Sequence, residues 1–259
     1  MIKYLIIFLF LFLILGLILK INSSYELVLF FILLFSTLWI INSNQLISFW
    51  LAIETQSFSL ILLIIYDNIK KIENVESIFK YFIMSAISSI FLLIGLSSVE
   101  LSKNLLSASN LICNIKESFV IFLILFPLII KLGGAPFHFW VPEIYQGINY
   151  GFIMLISSIP KLTLIMFLFK LPIFNNFILL ISLFSMIVGS IGGLNQSNFK
   201  ILIAYSGIAH LGFILLSTSI FVTYFVDFSV FYFLIYIISN IGILLIFLKK
   251  KNKLFNSIF

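Results

Sequence analysis

Nine apolar segments, most of them long enough to cross a lipid bilayer, leave this chain of 259 residues little choice of solvent. They run over about 4–20, 25–42, 45–66, 77–98, 118–136, 147–170, 173–194, 200–220 and 226–248. Each is continuously apolar, with no alternation of polar and apolar residues, so the segments predict helices rather than barrel strands. With 63% hydrophobic and 9% charged residues, the chain has too few solvating groups to cover a soluble fold of this size. A water-soluble enzyme is excluded. The clear interruptions, Asp67–Glu76 and Glu100–Glu117, are too short to form domains. The expected architecture is all-α: one transmembrane domain over 1–259, with about nine spanning helices. The N-terminal apolar run lacks a small-residue cleavage site and is followed by more spans, which predicts that it is retained.

Charge adds an orientation. All fifteen basic residues are lysine and the net charge is +6. The lysines are scattered except for Lys249, Lys250, Lys251 and Lys253, a pattern suited to an anionic membrane face and not to nucleic acid. Nine spans put the termini on opposite sides. Lys20, Lys70, Lys71, Lys80, Lys200 and the four tail lysines then share the C-terminal side, against Lys3, Lys103, Lys116 and Lys170. The positive-inside rule places the C-terminus in the matrix or cytoplasm. The richness in Phe, Ile, Lys and Asn indicates an AT-rich genome, such as an organelle's or a reduced bacterium's. The single cysteine, Cys113, allows no internal disulfide and no cysteine-based metal site.

Three charges have no business in lipid. Glu54 lies about 14 Å and Lys131 about 20 Å into their segments, and Lys161 is near the middle of its own. An ionisable group at that depth costs about 2.5–3.5 kcal/mol on insertion scales, so it is kept for a reason. One reason is helix-to-helix pairing. The other is a proton path, since a buried lysine whose partner moves can load and release a proton. Lys80 has Glu76 four residues earlier, the spacing of a surface helix pair. His210, in mid-segment, suits either packing or proton transfer.

The stretch Lys131-Leu-Gly-Gly-Ala-Pro-Phe-His-Phe-Trp-Val-Pro-Glu143 predicts a helix broken near 132–142. Pro136 removes a donor and the two glycines loosen the turn before it. Such a break survives at membrane depth only inside protein or beside a hydrated cavity, and it leaves carbonyls free next to Lys131. The alternative is a tight aromatic turn with Trp140 at the membrane interface.

At these residues the chain resembles a known family. The 131–143 box is similar to that of NADH–ubiquinone oxidoreductase chain 2, an antiporter-like subunit in the membrane arm of respiratory complex I. Four further stretches agree in order and spacing: Phe49–Glu54, Lys80–Phe82, Ser157–Lys161 and Gln196–Gly212. The resemblance covers about 45–248, with 1–42 as two extra N-terminal helices. It implies that Glu54 and Lys131 form the charge pair of a half-channel, that Lys161 is the central relay lysine and that His210 lies on the path onward. Lys80, His138 and Lys200 lie in the matching stretches and are further candidates. It also implies that redox chemistry occurs in other subunits, with no cofactor and no metal in this chain. Other membrane-arm subunits and lipid are the expected partners, and the mitochondrial inner membrane the expected location.

Members of that family continue past the helix resembling 226–248 into another broken helix. It carries a Pro-Pro box and the exit lysine, which has no counterpart before Phe259. The expectation is that a second polypeptide supplies those helices, with Asn240 and Gly242 as a polar-and-small pair to pack against them. Two alternatives stand beside a proton-translocating subunit. One is a subunit of a multi-subunit sodium–proton antiporter; the other is a structural subunit that keeps its charges but pumps nothing.

Overall fold

The computed structural model describes residues 23–43, 45–68, 72–102, 118–170, 176–219 and 223–256. They form helices α1 (Ser24–Asn42), α2 (Leu46–Asn68), α3 (Ile72–Ser102), α4 (Ser118–Leu132), α5 (Trp140–Gly147), α6 (Tyr150–Lys170), α7 (Asn176–Leu194), α8 (Phe199–Ser219) and α9 (Thr223–Asn256). Among the described residues seven helices are long and apolar enough to span a bilayer, and α4 is a shorter apolar one. The protein is a polytopic, all-helical membrane protein. The predicted count of nine differs: the segment at 4–20 lies outside the described residues, and α4 falls short of a full span. Lys3, Lys20, Lys70, Lys71, Lys103, Cys113 and Lys116 also lie outside them. Helices α2 and α3 run well into the interruption expected at Asp67–Glu76, ending at Asn68 and restarting at Ile72.

Local chemistry explains the helices' tolerance of polar residues. At the start of α1, the Ser23 hydroxyl accepts from the Glu26 N–H at 3.2 Å while the Glu26 carboxylate accepts from the Ser23 N–H at 3.5 Å, a capping box. Inside the spans, serines and threonines give their hydroxyl hydrogens to carbonyls three residues back: Ser36 to Leu33, Thr37 to Leu34, Ser88 to Ser85 and Ser182 to Leu179. Each of these hydroxyl hydrogens is then paired without needing water.

Packing centres on α6, which touches α1, α2, α4, α8 and α9. Some 83% of its apolar window is buried, against 28% for α1 and for α7. The outer helices present Phe31, Phe35, Phe184, Ile187 and Ile191 outward, as a lipid-facing surface should. The pair α7–α8 is drawn closest at Gly189, where a Cβ would sit 2.5 Å from the Ala209 nitrogen. Close backbone approach through small residues is the usual device where lipid removes the hydrophobic drive between helices.

Candidate functional site

The chain breaks where expected. After α4, residues 133–139 form turns and α5 starts at Trp140. Gly133 adopts φ +77°, and any side chain there would run into Val141; only glycine meets both demands. The Ala135–Pro136 bond is cis. The freed end of α4 is not left bare, contrary to the expectation of open carbonyls beside Lys131. The Ile130 carbonyl accepts from the Gly133 N–H at 3.0 Å and from the Trp140 indole at 3.1 Å, and Ile129 accepts from Gly134 at 3.1 Å. Trp140 is 6% exposed. It plugs the helix end instead of sitting at an interface.

This plug presents Lys131 sideways to α2. Its ammonium donates to Glu54 Oε1 at 2.8 Å, with the two side chains only 7% and 15% exposed. Beside the pair lies a cavity of about 20 Å³, lined by Gln56, Ser57, Tyr81, Ser85, Lys131 and Pro160. That volume admits a water molecule. Gln56 offers its amide nitrogen without any hydrogen-bond partner among the described residues. Its oxygen accepts from the Thr163 hydroxyl of α6 at 3.2 Å.

Lys161 follows Pro160 in α6 and is 3% exposed. Its ammonium has no hydrogen-bond partner among the described residues. It lies over Gly207 of α8, 3.4 Å from where a Cβ would be, and Tyr236 Oη lies 2.7 Å from the same point. Tyr236 accepts from the Asn240 amide at 3.1 Å. One turn on from Gly207, His210 Nδ1 shares a hydrogen with Tyr232 Oη at 2.6 Å, and its ring packs tilted against Tyr236 with centroids 4.8 Å apart. Lys161 and His210 are thus brought together through Tyr236.

The remaining candidates stand apart. Lys80 pairs with Glu76 at 3.0 Å, as its spacing predicts, and also with Glu143 of α5 at 2.7 Å, which no local spacing reveals. It is 43% exposed. His138 Nδ1 faces the Pro136 carbonyl at 3.2 Å, inside the break. Lys200 donates to the Gln146 and Ile148 carbonyls at 3.2 and 2.5 Å, capping the end of α5. His138 thus acts within its own turn, while Lys200 ties α8 to the end of α5. Asn240 is buried against Tyr236, while Gly242 lies open, with nothing within 4 Å of its Cβ position. The expected pair is therefore split between the interior and the outer face. The polar groups that sequence reasoning missed are Gln56, Tyr81, Tyr145 and Tyr236. Only Asn240–Tyr236 carries a readable sign, its spacing of four.

Comparison with known proteins follows the same lines. The family described as NADH:quinone oxidoreductase/Mrp antiporter, transmembrane, matches residues 43–257. The chain is similar to NADH-quinone oxidoreductase subunit N of Wolbachia sp. subsp. Brugia malayi, at 35% identity over 86% of this chain and 51% of the relative. It is also similar to NADH-ubiquinone oxidoreductase chain 2 of Anopheles gambiae, at 36% identity over 93% of this chain and 66% of the relative. In fold it matches a chain of respiratory complex I from Thermus thermophilus, with TM-score 0.76 and 24% identity over 86% of this chain and 51% of that one. The chain spans about half to two thirds of the length of these relatives.

Proposed function

The chain belongs to the NADH:quinone oxidoreductase/Mrp antiporter transmembrane family, and from that premise we propose that it is a proton-translocating subunit of a membrane-bound NADH:quinone oxidoreductase. The observation that carries the proposal is the sequence of buried groups from the Glu54–Lys131 pair to Lys161, without a partner among the described residues, and on to His210. Lys131 exchanges its proton when Glu54 moves away or is neutralised. Lys161 receives it at a buried position where a charge is costly without water or a partner, which favours passing it on. His210 with Tyr232 continues the route. NADH oxidation and quinone reduction belong to other subunits, and this chain carries no redox group of its own.

The same proposal places the chain among other membrane-arm subunits, in a mitochondrial inner membrane, with the C-terminus in the matrix. The lysine distribution supports that orientation. A second polypeptide supplying further helices belongs to it as well. Helix α9 turns Phe231, Ile235, Ile238 and Ile246 outward, around the open Gly242, a surface another helix can approach closely.

The test uses the assembled complex in sealed vesicles. Lys161→Ala is expected to lower protons pumped per NADH, because it removes a positioned proton-transfer group, with the complex still present on native gels. Lys161→Arg is expected to fail too, because a guanidinium does not release its proton. Normal pumping by the arginine variant would reduce Lys161 to a fixed charge and sink the relay. Sodium-dependent transport by the purified chain alone would favour the antiporter assembly instead.

A further inference from the structure

The cavity beside Lys131 is lined by more hydrogen-bonding capacity than the protein itself uses. The Lys131 ammonium carries three hydrogens, and Glu54 takes one of them. The Ser57 hydroxyl gives its hydrogen to the Glu54 carbonyl at 2.9 Å, and Ser85 gives its own to the Phe82 carbonyl at 2.8 Å. Both serine oxygens keep lone pairs to accept with. Gln56 is 3% exposed. Thr163 holds its amide oxygen at 3.2 Å, while its amide nitrogen has no hydrogen-bond partner among the described residues.

A buried N–H without an acceptor is costly, and leucine or methionine would fill the same space without that cost. Packing therefore does not account for the amide. All four of these residues line one cavity of about 20 Å³, room for a single water. Its wall carries donors from Lys131 and Gln56 and acceptors from Ser57 and Ser85. The donors disfavour a metal cation and the lone pairs disfavour an anion; water suits both.

We propose that this cavity is a binding site for one water molecule, and that Gln56 is the residue that positions this water against Lys131. The water accepts from the Gln56 amide and the Lys131 ammonium and gives its hydrogens to the Ser57 and Ser85 oxygens, a full set of partners for a buried water. Its part in transport rests on the proton-path reading above. It gives Lys131 a second acceptor, so that the ammonium can turn from Glu54 without being left bare. Thr163 stands two residues after Lys161, so the same amide ties the water site to the helix of the second lysine.

The experiment is a structure of the assembled complex at a resolution that shows bound water, for the native chain, Gln56→Leu and Thr163→Val. Protons pumped per NADH oxidised are measured on each. The native complex is expected to show one water within hydrogen-bond distance of Gln56 Nε2 and Lys131 Nζ. Gln56→Leu is expected to lose that water and to pump less. Thr163→Val cuts the same tie between α2 and α6 and is expected to keep the water and pump better than Gln56→Leu. Equal losses from the two variants would reduce Gln56 to a tie between helices and overturn the inference. A dry native cavity, or a water that stays in Gln56→Leu, overturns it as well. Should Gln56→Leu not assemble, Gln56→Met decides by the same two readouts. Lys161→Ala pumping normally, with the water in place, overturns the proton path and leaves the water site standing.

Discussion

Lys131 and Lys161 are both buried lysines, and the fold treats them in opposite ways. Lys131 stands at the end of a broken helix, where freedom of the backbone lets it reach a carboxylate at 2.8 Å on another helix. Lys161 stands inside α6, the most buried span, and reaches no partner among the described residues. The pair keeps its charge through a close opposite charge, at the cost of desolvating two groups. The lone lysine holds a charge only while something mobile reaches it. A path needs both kinds: a site where charge rests and one where it does not. The break after α4 is what makes them different, since a continuous helix would have left Lys131 as isolated as Lys161.

Breaking the pair should have the largest effect. Glu54→Gln or Lys131→Met leaves the other group buried and uncompensated, a loss of about 3–5 kcal/mol. The double variant should cost less than either single change. The measurement is the denaturant or temperature midpoint for loss of the assembled complex, taken as a double-mutant cycle. Additive effects would mean that the 2.8 Å contact carries no coupling, and the contrast with Lys161 would disappear.

Gly207→Ala sharpens the other side. The added methyl would lie 2.7 Å from Tyr236 Oη and 3.4 Å from the Lys161 ammonium. Tyr236 must give way, at a cost of about 1–3 kcal/mol, while the ammonium stays at ordinary contact distance. The shift strains the Tyr236–Asn240 contact and changes the surroundings of Lys161 and His210. Pumping is expected to fall while the Glu54–Lys131 coupling stays intact. A normal pumping yield would show that the placement of Tyr236 beside Lys161 is immaterial.

These contrasts were unequally legible in the sequence. The spans were open to view because lipid demands long apolar runs, and α2, α6, α7 and α8 follow the expected segments closely. The ends were less so. Apolar windows see the bilayer and not the helix, so α3 begins five residues before its segment and α9 continues through the lysine tail to Asn256. Helix α5, of eight residues, was merged into the break because its amphipathic turn is too short for any window. Deep charges announce themselves by cost, which made Glu54, Lys131 and Lys161 visible. Their pairing did not follow from residues 77 apart and came only through family resemblance. Tyr81, Tyr145, Tyr236 and Gln56 stayed hidden for a physical reason: in a chain of apolar helices a single polar group reads as packing until its neighbours on other helices are seen in three dimensions.

The smallest expected effect comes from Lys80, and it tests whether burial is what separates the lysines. Lys80 has more carboxylate around it than Lys131: Glu76 at 3.0 Å and Glu143 at 2.7 Å. By contact alone it should matter more. But its side chain is 43% exposed, and those of its partners 75% and 48%, so solvent screens both contacts. Exposed pairs are worth about 0–1 kcal/mol. Lys80→Met is therefore expected to shift the midpoint of the assembled complex far less than Lys131→Met, and what shift there is should shrink at high salt. Equal losses from the two lysines would mean that another subunit covers α3 and α5 where they meet, drying the Lys80 site. Lys80 would then count as a second buried pair, joining α5 to α3 at the far edge of the Tyr145 helix.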